Sequence, residues 1–341
     1  MDSSSPSWIE VLANLNTAWI IGIVVALTLM RLSLFKSKSP SMRSAAELVE
    51  SFLIAIVLVY MLIRPFVVQA YFIPSASMEP TLLGKNGSGD RIIVNKMSYR
   101  FGPPQRGDVV VFIPPDSALP KLDNSSSVPV NFIKRLIAKA DDSLRIYSGV
   151  CMIDGQRYSH SRLRAIFQQK GLFPDYDPNQ VGVDTQADHH IKFKNDGVYL
   201  DNQLIPKDKL MSVVDMPANS SFEIHPGYTV LNGVRLNEPF VAEDPDYDLR
   251  IFNGEPLKAD YSSQQESFRY KGQSITSDVY NADARQATDL VPKGRLFMMG
   301  DNRNDSDDST EWGPLKKERV VGKAQFIFWP LDRVRPIASQ Q

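Results

Sequence analysis

The strongest constraint on this chain is an uncharged apolar run, VLANLNTAWIIGIVVALTLM, from Val11 to Met30. Its 20 residues match what a helix needs to cross about 30 Å of hydrocarbon, where backbone groups must be satisfied internally. A membrane-spanning helix is therefore expected over 11–30. A cleaved signal peptide is the alternative, but no Lys or Arg precedes Arg31 to supply a basic n-region. The next segment, SFLIAIVLVYMLIRPFVVQAYFIP, is purely apolar from Phe52 to Ile63 before Arg64-Pro65 interrupts it. A second span over 51–72 is expected, with Arg64 snorkelling to an interface; a buried core helix of a soluble domain is the competing reading. Arg31, Lys36, Lys38 and Arg43 lie between the two segments, so the positive-inside bias places residues 31–50 in the cytoplasm. Both termini, and the bulk of the chain from about residue 72, then face outward.

Beyond the apolar segments the pattern becomes short β-type runs: RIIVNK at 91, DVVVFIP at 108, FIKRLIA at 132, SLRIYSGVCMIDG at 143 and RLFMMG at 295. Asp154-Gly155 and Asn232-Gly233 sit where tight hairpin turns need positive φ. A mainly β, barrel-like core is expected, in two parts over 73–155 and 290–335. Residues 156–289 are polar, with few long apolar runs, and read as an α+β insertion or cap on that core. A net charge of −1 argues against nucleic-acid binding by phosphate neutralisation. The single cysteine, Cys151, excludes an internal disulfide framework, and four scattered histidines give no basis for a metal site.

The stretch IPSASMEPTL, Ile73 to Leu82, fixes two serines between two prolines just after the apolar segment. A serine nucleophile needs an activating base. His160, His189, His190 and His225 all fall in the polar insertion, and none is attached to a G-x-S-x-G elbow. Lysine is the other option. Lys134 lies in FIKRLIA, where one face of a strand could desolvate it and lower its pKa from about 10.4 toward neutrality. The bland reading is an edge-strand surface lysine. A third stretch, GDNRNDSDDSTEWG from Gly300 to Gly313, reads as a solvated turn, a calcium loop, or a loop that hydrogen-bonds a catalytic amine. Aligned from Asp301, it lacks the EF-hand glycine and glutamate, which weakens the calcium reading.

Taken together these stretches resemble the bacterial type I signal peptidases. IPSASMEPTL resembles the family's P-S-x-S-M-x-P-T-L box, RGDVVVF its G-D-I/V-V-V-F box, FIKR its Y-I-K-R box and GDNRNDSDDSTEWG its G-D-N-R-x-x-S-x-D-S-R box. The resemblance covers roughly 52–154 and 290–330 and implies a signal-peptidase-like β-barrel core preceded by two transmembrane helices. It implies a membrane-bound serine endopeptidase with a Ser-Lys dyad: Ser77 as nucleophile, Lys134 as general base, and Ser75 with the Ser77 N–H as oxyanion donors. Ser306 would orient the lysine amine, with Asp308 and Arg303 supporting that loop. Ile73, Met78, Leu82, Phe132 and Ile133 would line shallow pockets for an extended substrate cut after a small-x-small motif. The implied partners are exported preproteins and the lipid bilayer, downstream of the export machinery, at the bacterial plasma membrane; no metal or organic cofactor is implied.

Several residues depart from the family pattern. Phe132 replaces the usual tyrosine, and Thr310 stands where arginine is general, leaving Lys316, Lys317 or Arg303 as substitute partners for Asp308. AKADD stands for the family's G-x-P-G-D turn, and Asn304-Asp305 reverses the common order. A specialised peptidase for pilin or conjugation substrates, a self-cleaving repressor and a membrane-anchored binding protein with a decayed site are the competing functions.

Overall fold

The apolar run does form a helix, α1 (Thr17–Phe35). The computed structural model describes residues 17–36, 39–63, 67–84, 89–119, 131–172, 190–263, 266–283 and 290–339. The start of the first expected span, Arg64-Pro65 and His189 lie outside them. Among the described residues, α1 is the one helix long and apolar enough to cross a membrane, with a mean hydropathy of 2.1 over Ala18–Phe35 and none of that window buried. The second span differs from expectation. Helix α2 (Pro40–Val57) starts eleven residues earlier than the expected 51, with proline in its first turn, and takes in Arg43, Glu47 and Glu50. Glu50 pairs with Arg31 of α1 at 2.8 Å. A π-helical stretch, Leu58–Ile63, ends the helix. Val68–Phe72, placed in the same span by hydropathy, is instead a strand, because its backbone finds an antiparallel partner at Arg91–Asn95.

The strands in chain order are β1 (Val68–Phe72), β2 (Arg91–Asn95), β3 (Val109–Phe112), β4 (Phe132–Lys139), β5 (Leu144–Tyr147), β6 (Val150–Ile153) and β7 (Gln156–Tyr158). They continue with β8 (Ile191–Lys194), β9 (Gly197–Leu200), β10 (Gln203–Leu204), β11 (Phe222–His225), β12 (Tyr228–Leu231) and β13 (Val234–Arg235). Then come β14 (Tyr247–Phe252), β15 (Glu255–Asp260), β16 (Ser267–Tyr270), β17 (Gln273–Ile275), β18 (Arg295–Met299), β19 (Leu315–Lys316), β20 (Val320–Trp329) and β21 (Arg335–Pro336). Short helices α3 (His160–Gln169), α4 (Lys207–Val213), α5 (Ser277–Asp283) and α6 (Ser309–Trp312) complete the description.

Every strand carrying a family-like motif falls in one eight-stranded sheet, ordered β1-β2-β20-β3-β4-β18-β19 with β21 on β20. It curls into a half-barrel. The expected barrel is thus open: β1 and β19 end the path instead of pairing with each other. β3 is buried along its whole length, as an uninterrupted VVVF requires, whereas β2 alternates.

The cap begins earlier than its polar composition suggests. β5 joins a seven-stranded sheet, β13-β12-β5-β14-β15-β16-β17, and β6 pairs with β7 and β11. Ile137 and Phe297 of the catalytic sheet share one apolar cluster with Leu144, Ile146, Leu249 and Ile251 of the cap sheet. A second cluster, with Leu163, Phe167, Phe193 and Leu210, holds the rest of the cap together. Both expected hairpin turns have their residues at positive φ: Asp154 at 49° and Gly155 at 77°, Asn232 at 52° and Gly233 at 80°. The AKADD turn also closes. Asp141 takes φ 66° in place of glycine, while Asp142 accepts from Lys139 N at 2.7 Å.

Candidate active site

Ser77 sits in a single 3-10 turn, Ala76–Met78, that follows the extended Ile73–Ser75. The turn is pinned from below: Met78 and Leu82 are fully buried among Ile73, Ile92, Val94 and Val111. Both side chains thereby anchor the serine turn in the core. From above, the carbonyl of Ser77 accepts from Asn302 N at 3.2 Å, and Asn302 Nδ2 donates to the carbonyl of Ala76 at 3.4 Å. A Cβ at Gly300 would fall 2.3 Å from Ser306 Oγ and 2.4 Å from the Ser77 carbonyl oxygen, so glycine is needed where loop and turn meet.

Lys134 comes from the middle of β4, paired with Val110 of β3. Alternation puts it on one face with Phe132 and Leu136. Its Nζ stands 2.5 Å from Ser77 Oγ, across 57 residues of chain, and the side chain is 5% exposed against 8% for Ser77. Burial pushes the amine below the ordinary lysine range, against the opposing pull of Asp308, Asp307, Asp305 and Asp301. The Phe132 ring centroid lies 6.0 Å from Nζ, so the aromatic packing survives without a tyrosine hydroxyl. Ser75 Oγ lies 3.4 Å from Ser77 Oγ. Ser75→Ala tests whether this second hydroxyl serves an oxyanion: loss of one such donor is expected to lower kcat by about 100- to 1,000-fold with little change in KM.

Adjacent residues on β4 point apart, and Arg135 makes a second buried contact on the opposite side. It forms a two-pronged pair with Asp301, Nε to Oδ1 at 2.8 Å and Nη2 to Oδ2 at 2.6 Å, with both side chains at 1% exposure or less. One strand therefore delivers the amine to Ser77 and ties down the start of the 300–308 loop. Asp308 secures that loop's other end by capping α6: its carboxylate accepts from Thr310 N at 2.9 Å and Gly300 N at 2.8 Å. These backbone donors do the work expected of an arginine at 310. Arg303, considered as a substitute partner for Asp308, instead pairs with Glu238 at 2.5 Å and donates to Thr229. Ser306 differs from expectation too. Its Oγ is buried and makes no hydrogen bond among the described residues, so the expected contact with the Lys134 amine is absent.

A cleft of about 410 Å³ opens beside the pair. Ile73, Phe132 and Ile133 line it, joined by Tyr71, Phe72, Ile92, Val111 and Asn131, which the sequence alone did not single out. Asp305 and Asp307 stand at the same cleft; the acidity of their stretch was visible in the sequence, its direction was not. The described histidines lie elsewhere: His160 is buried in the cap beside Asp246, with ring Nδ1 at 3.3 Å from Oδ1.

A hydroxyl held against a desolvated amine, at the wall of an apolar cleft in a mainly β fold, is the equipment of a serine endopeptidase. The chain belongs to the signal peptidase family, peptidase S26, whose model matches residues 45–221 and 187–329. It is 31% identical over 289 residues to signal peptidase I of Aquifex aeolicus, covering 83% of each chain. It is 34% identical over 272 residues to signal peptidase I of Leptolyngbya laminosa, covering 80% of this chain and 74% of that one. The Haemophilus influenzae signal peptidase I is 26% identical over 328 residues, covering 87% of this chain and 73% of that one.

Proposed function

We propose that this chain removes N-terminal signal peptides from exported preproteins by a Ser-Lys mechanism, with Ser77 as nucleophile and Lys134 as general base. The observation that carries the reading is the 2.5 Å contact between Lys134 Nζ and Ser77 Oγ inside a buried site. The neutral amine takes the Ser77 proton as Oγ attacks the scissile carbonyl. The oxyanion is received by the Ser77 N–H and the Ser75 hydroxyl, donors fixed before the charge develops. The ammonium then gives its proton to the departing amine as the C–N bond breaks. A water deprotonated by the same lysine hydrolyses the acyl-enzyme and frees Ser77.

The walls at Tyr71–Ser77 and Asn131–Lys134 support an extended substrate lying between them. Apolar lining by Ile73, Phe132 and Ile133 suits small residues before the cut and keeps water from the amine. Helix α1 supports a membrane anchor. A second span along α2 and its continuation to Ile63, with the basic residues Arg31, Lys36, Lys38 and Arg43 on the cytoplasmic side, would place the catalytic domain outside the plasma membrane, downstream of the export machinery.

The test is cleavage of a purified preprotein in detergent by wild type and Ser77→Ala, with mass spectrometry locating the cut. One cut after a small-x-small site by wild type, and none by Ser77→Ala, is expected. Wild-type rates should climb through a single apparent pKa below the ordinary lysine value of 10.5. Cleavage by Ser77→Ala would show that the nucleophile is misassigned.

A further inference from the structure

We infer that Asn304 is a positioning residue through which the cap sets where the 300–308 loop stands against Ser77 and Lys134; this rests on reading that pair as the catalytic couple. Asn304 stands between Arg303 and Asp305, yet its amide is engaged with the cap. Its Oδ1 accepts from Asp246 N at 2.8 Å, and its Nδ2 donates to the carbonyl of Asp244 at 3.0 Å and reaches Glu243 Oε2 at 3.5 Å. All three partners belong to one short turn, Glu243–Asp246. Only a side chain that both accepts and donates can make this set of bonds, which an amide does without carrying charge.

The turn is itself anchored from behind. The Asp246 carboxylate accepts from the backbone N–H of His160 and of Ser161, each at 2.7 Å, and from the Ser161 hydroxyl at 2.5 Å, all at the start of α3. Glu243 accepts from Ile191 N at 2.9 Å and pairs with Arg164, and Asp244 accepts from Phe193 N at 3.1 Å. All three acids are buried. Their side chains fix the turn to α3 and β8, while the backbone N–H of Asp246 and carbonyl of Asp244 meet Asn304.

On the other side of Asn304 the chain enters the cleft at once. Asp305 and Asp307 line it, and Ser306 Oγ lies against Gly300 where the loop meets the serine turn. Three residues of chain span at most about 11 Å, so any slack at Asn304 is passed to these side chains. The carboxylates that act on the Lys134 amine, Asp301, Asp305, Asp307 and Asp308, all come from this loop. From β3 the amine's strand faces apolar Val110, and on β4 Phe132 and Leu136 flank it. A loop released from the cap would admit water to the amine. Burial is the largest influence on Lys134, so hydration returns its pKa upward.

The test uses Asn304→Leu, which keeps the size and removes the hydrogen bonds, and Asn304→Gln, which restores an amide on a longer arm. In both, kcat, KM and the pH–rate profile on a preprotein are measured beside thermal stability, with Ser77→Ala as the blank. For Asn304→Leu, kcat at pH 7 is expected to fall about 10- to 100-fold with KM within about twofold, as for a misplaced catalytic group. The acid limb should move to higher pH, so that the deficit narrows in alkaline solution, and Asn304→Gln should recover part of the loss. An unchanged kcat and limb, or a loss that tracks melting temperature with the limb unmoved, overturns the inference. Cleavage by Ser77→Ala fails the couple itself, an outcome distinguishable from a normal blank with an unaltered Asn304→Leu profile.

Discussion

Lys134→Met is expected to abolish preprotein cleavage and to raise thermal stability in the same variant. The amine stands 2.5 Å from Ser77 Oγ, so its loss should lower kcat by about 10,000-fold or more. The stability effect follows from the same burial. The folded-state pKa of Lys134 lies below the 10.5 of a solvated lysine. Between the two values the unfolded chain binds the extra proton, so stability rises with pH through that window. The penalty is fully present below the folded pKa and vanishes above the unfolded one. Methionine fills similar space without the ammonium, so it should melt higher than wild type at neutral pH and gain less in alkaline buffer. Each kcal/mol relieved is worth about 1–2 °C in a chain of this length. Calorimetry at both pH values checks the sign; a lower melting temperature at pH 7 would mean that the amine's contact with Ser77 outweighs its burial.

Arg135→Leu is expected to produce the largest loss of stability. It strands the Asp301 carboxylate in a site with no water access, and breaking a buried pair from one side costs about 3–5 kcal/mol. The melting temperature should fall by about 3–10 °C at that cost. Arg135→Leu/Asp301→Leu should recover much of it, because removing both charges removes the stranded one. Urea titration of the single variants and the pair measures the coupling directly. A double variant as unstable as the sum of the singles would mean that the hydrogen bonds from Arg135 to Gly107 and Ala338, and its stacking on Phe240 at 4.0 Å, matter more than the ion pair.

How much of the site was legible depended on how local each signal was. Ser77 and Lys134 were singled out through the resemblance of IPSASMEPTL and FIKR to the family's boxes, because a lysine in a strand-like run, read alone, suits an edge-strand surface equally well. That Met78 and Leu82 pack into the core beneath the serine turn could not be read from their place in the motif, because it depends on strands far along the chain. The insertion's boundary was set by polarity, which cannot reveal that β5 pairs with β12 and β14, strands about a hundred residues away in β14's case. Val68–Phe72 was counted with the helix before it, since hydropathy does not distinguish an apolar strand from an apolar helix.

The sequence by itself determined an apolar N-terminal helix, a mainly β chain, the hairpin turns at Asp154-Gly155 and Asn232-Gly233, and the residue types of a Ser-Lys chemistry. Each depends on interactions within a few residues: the run of uncharged side chains, the period of alternation, the need for positive φ. Only the tertiary structure decided that Lys134 is buried against Ser77, that Asp308 is satisfied by backbone N–H groups instead of an arginine, and that Asn304 fastens the loop to the cap. Those depend on packing across 57, 8 and 58 residues of chain respectively, with even the shortest set by the folding back of the loop on β18. Desolvation is a property of the assembled core, and no window of sequence contains it.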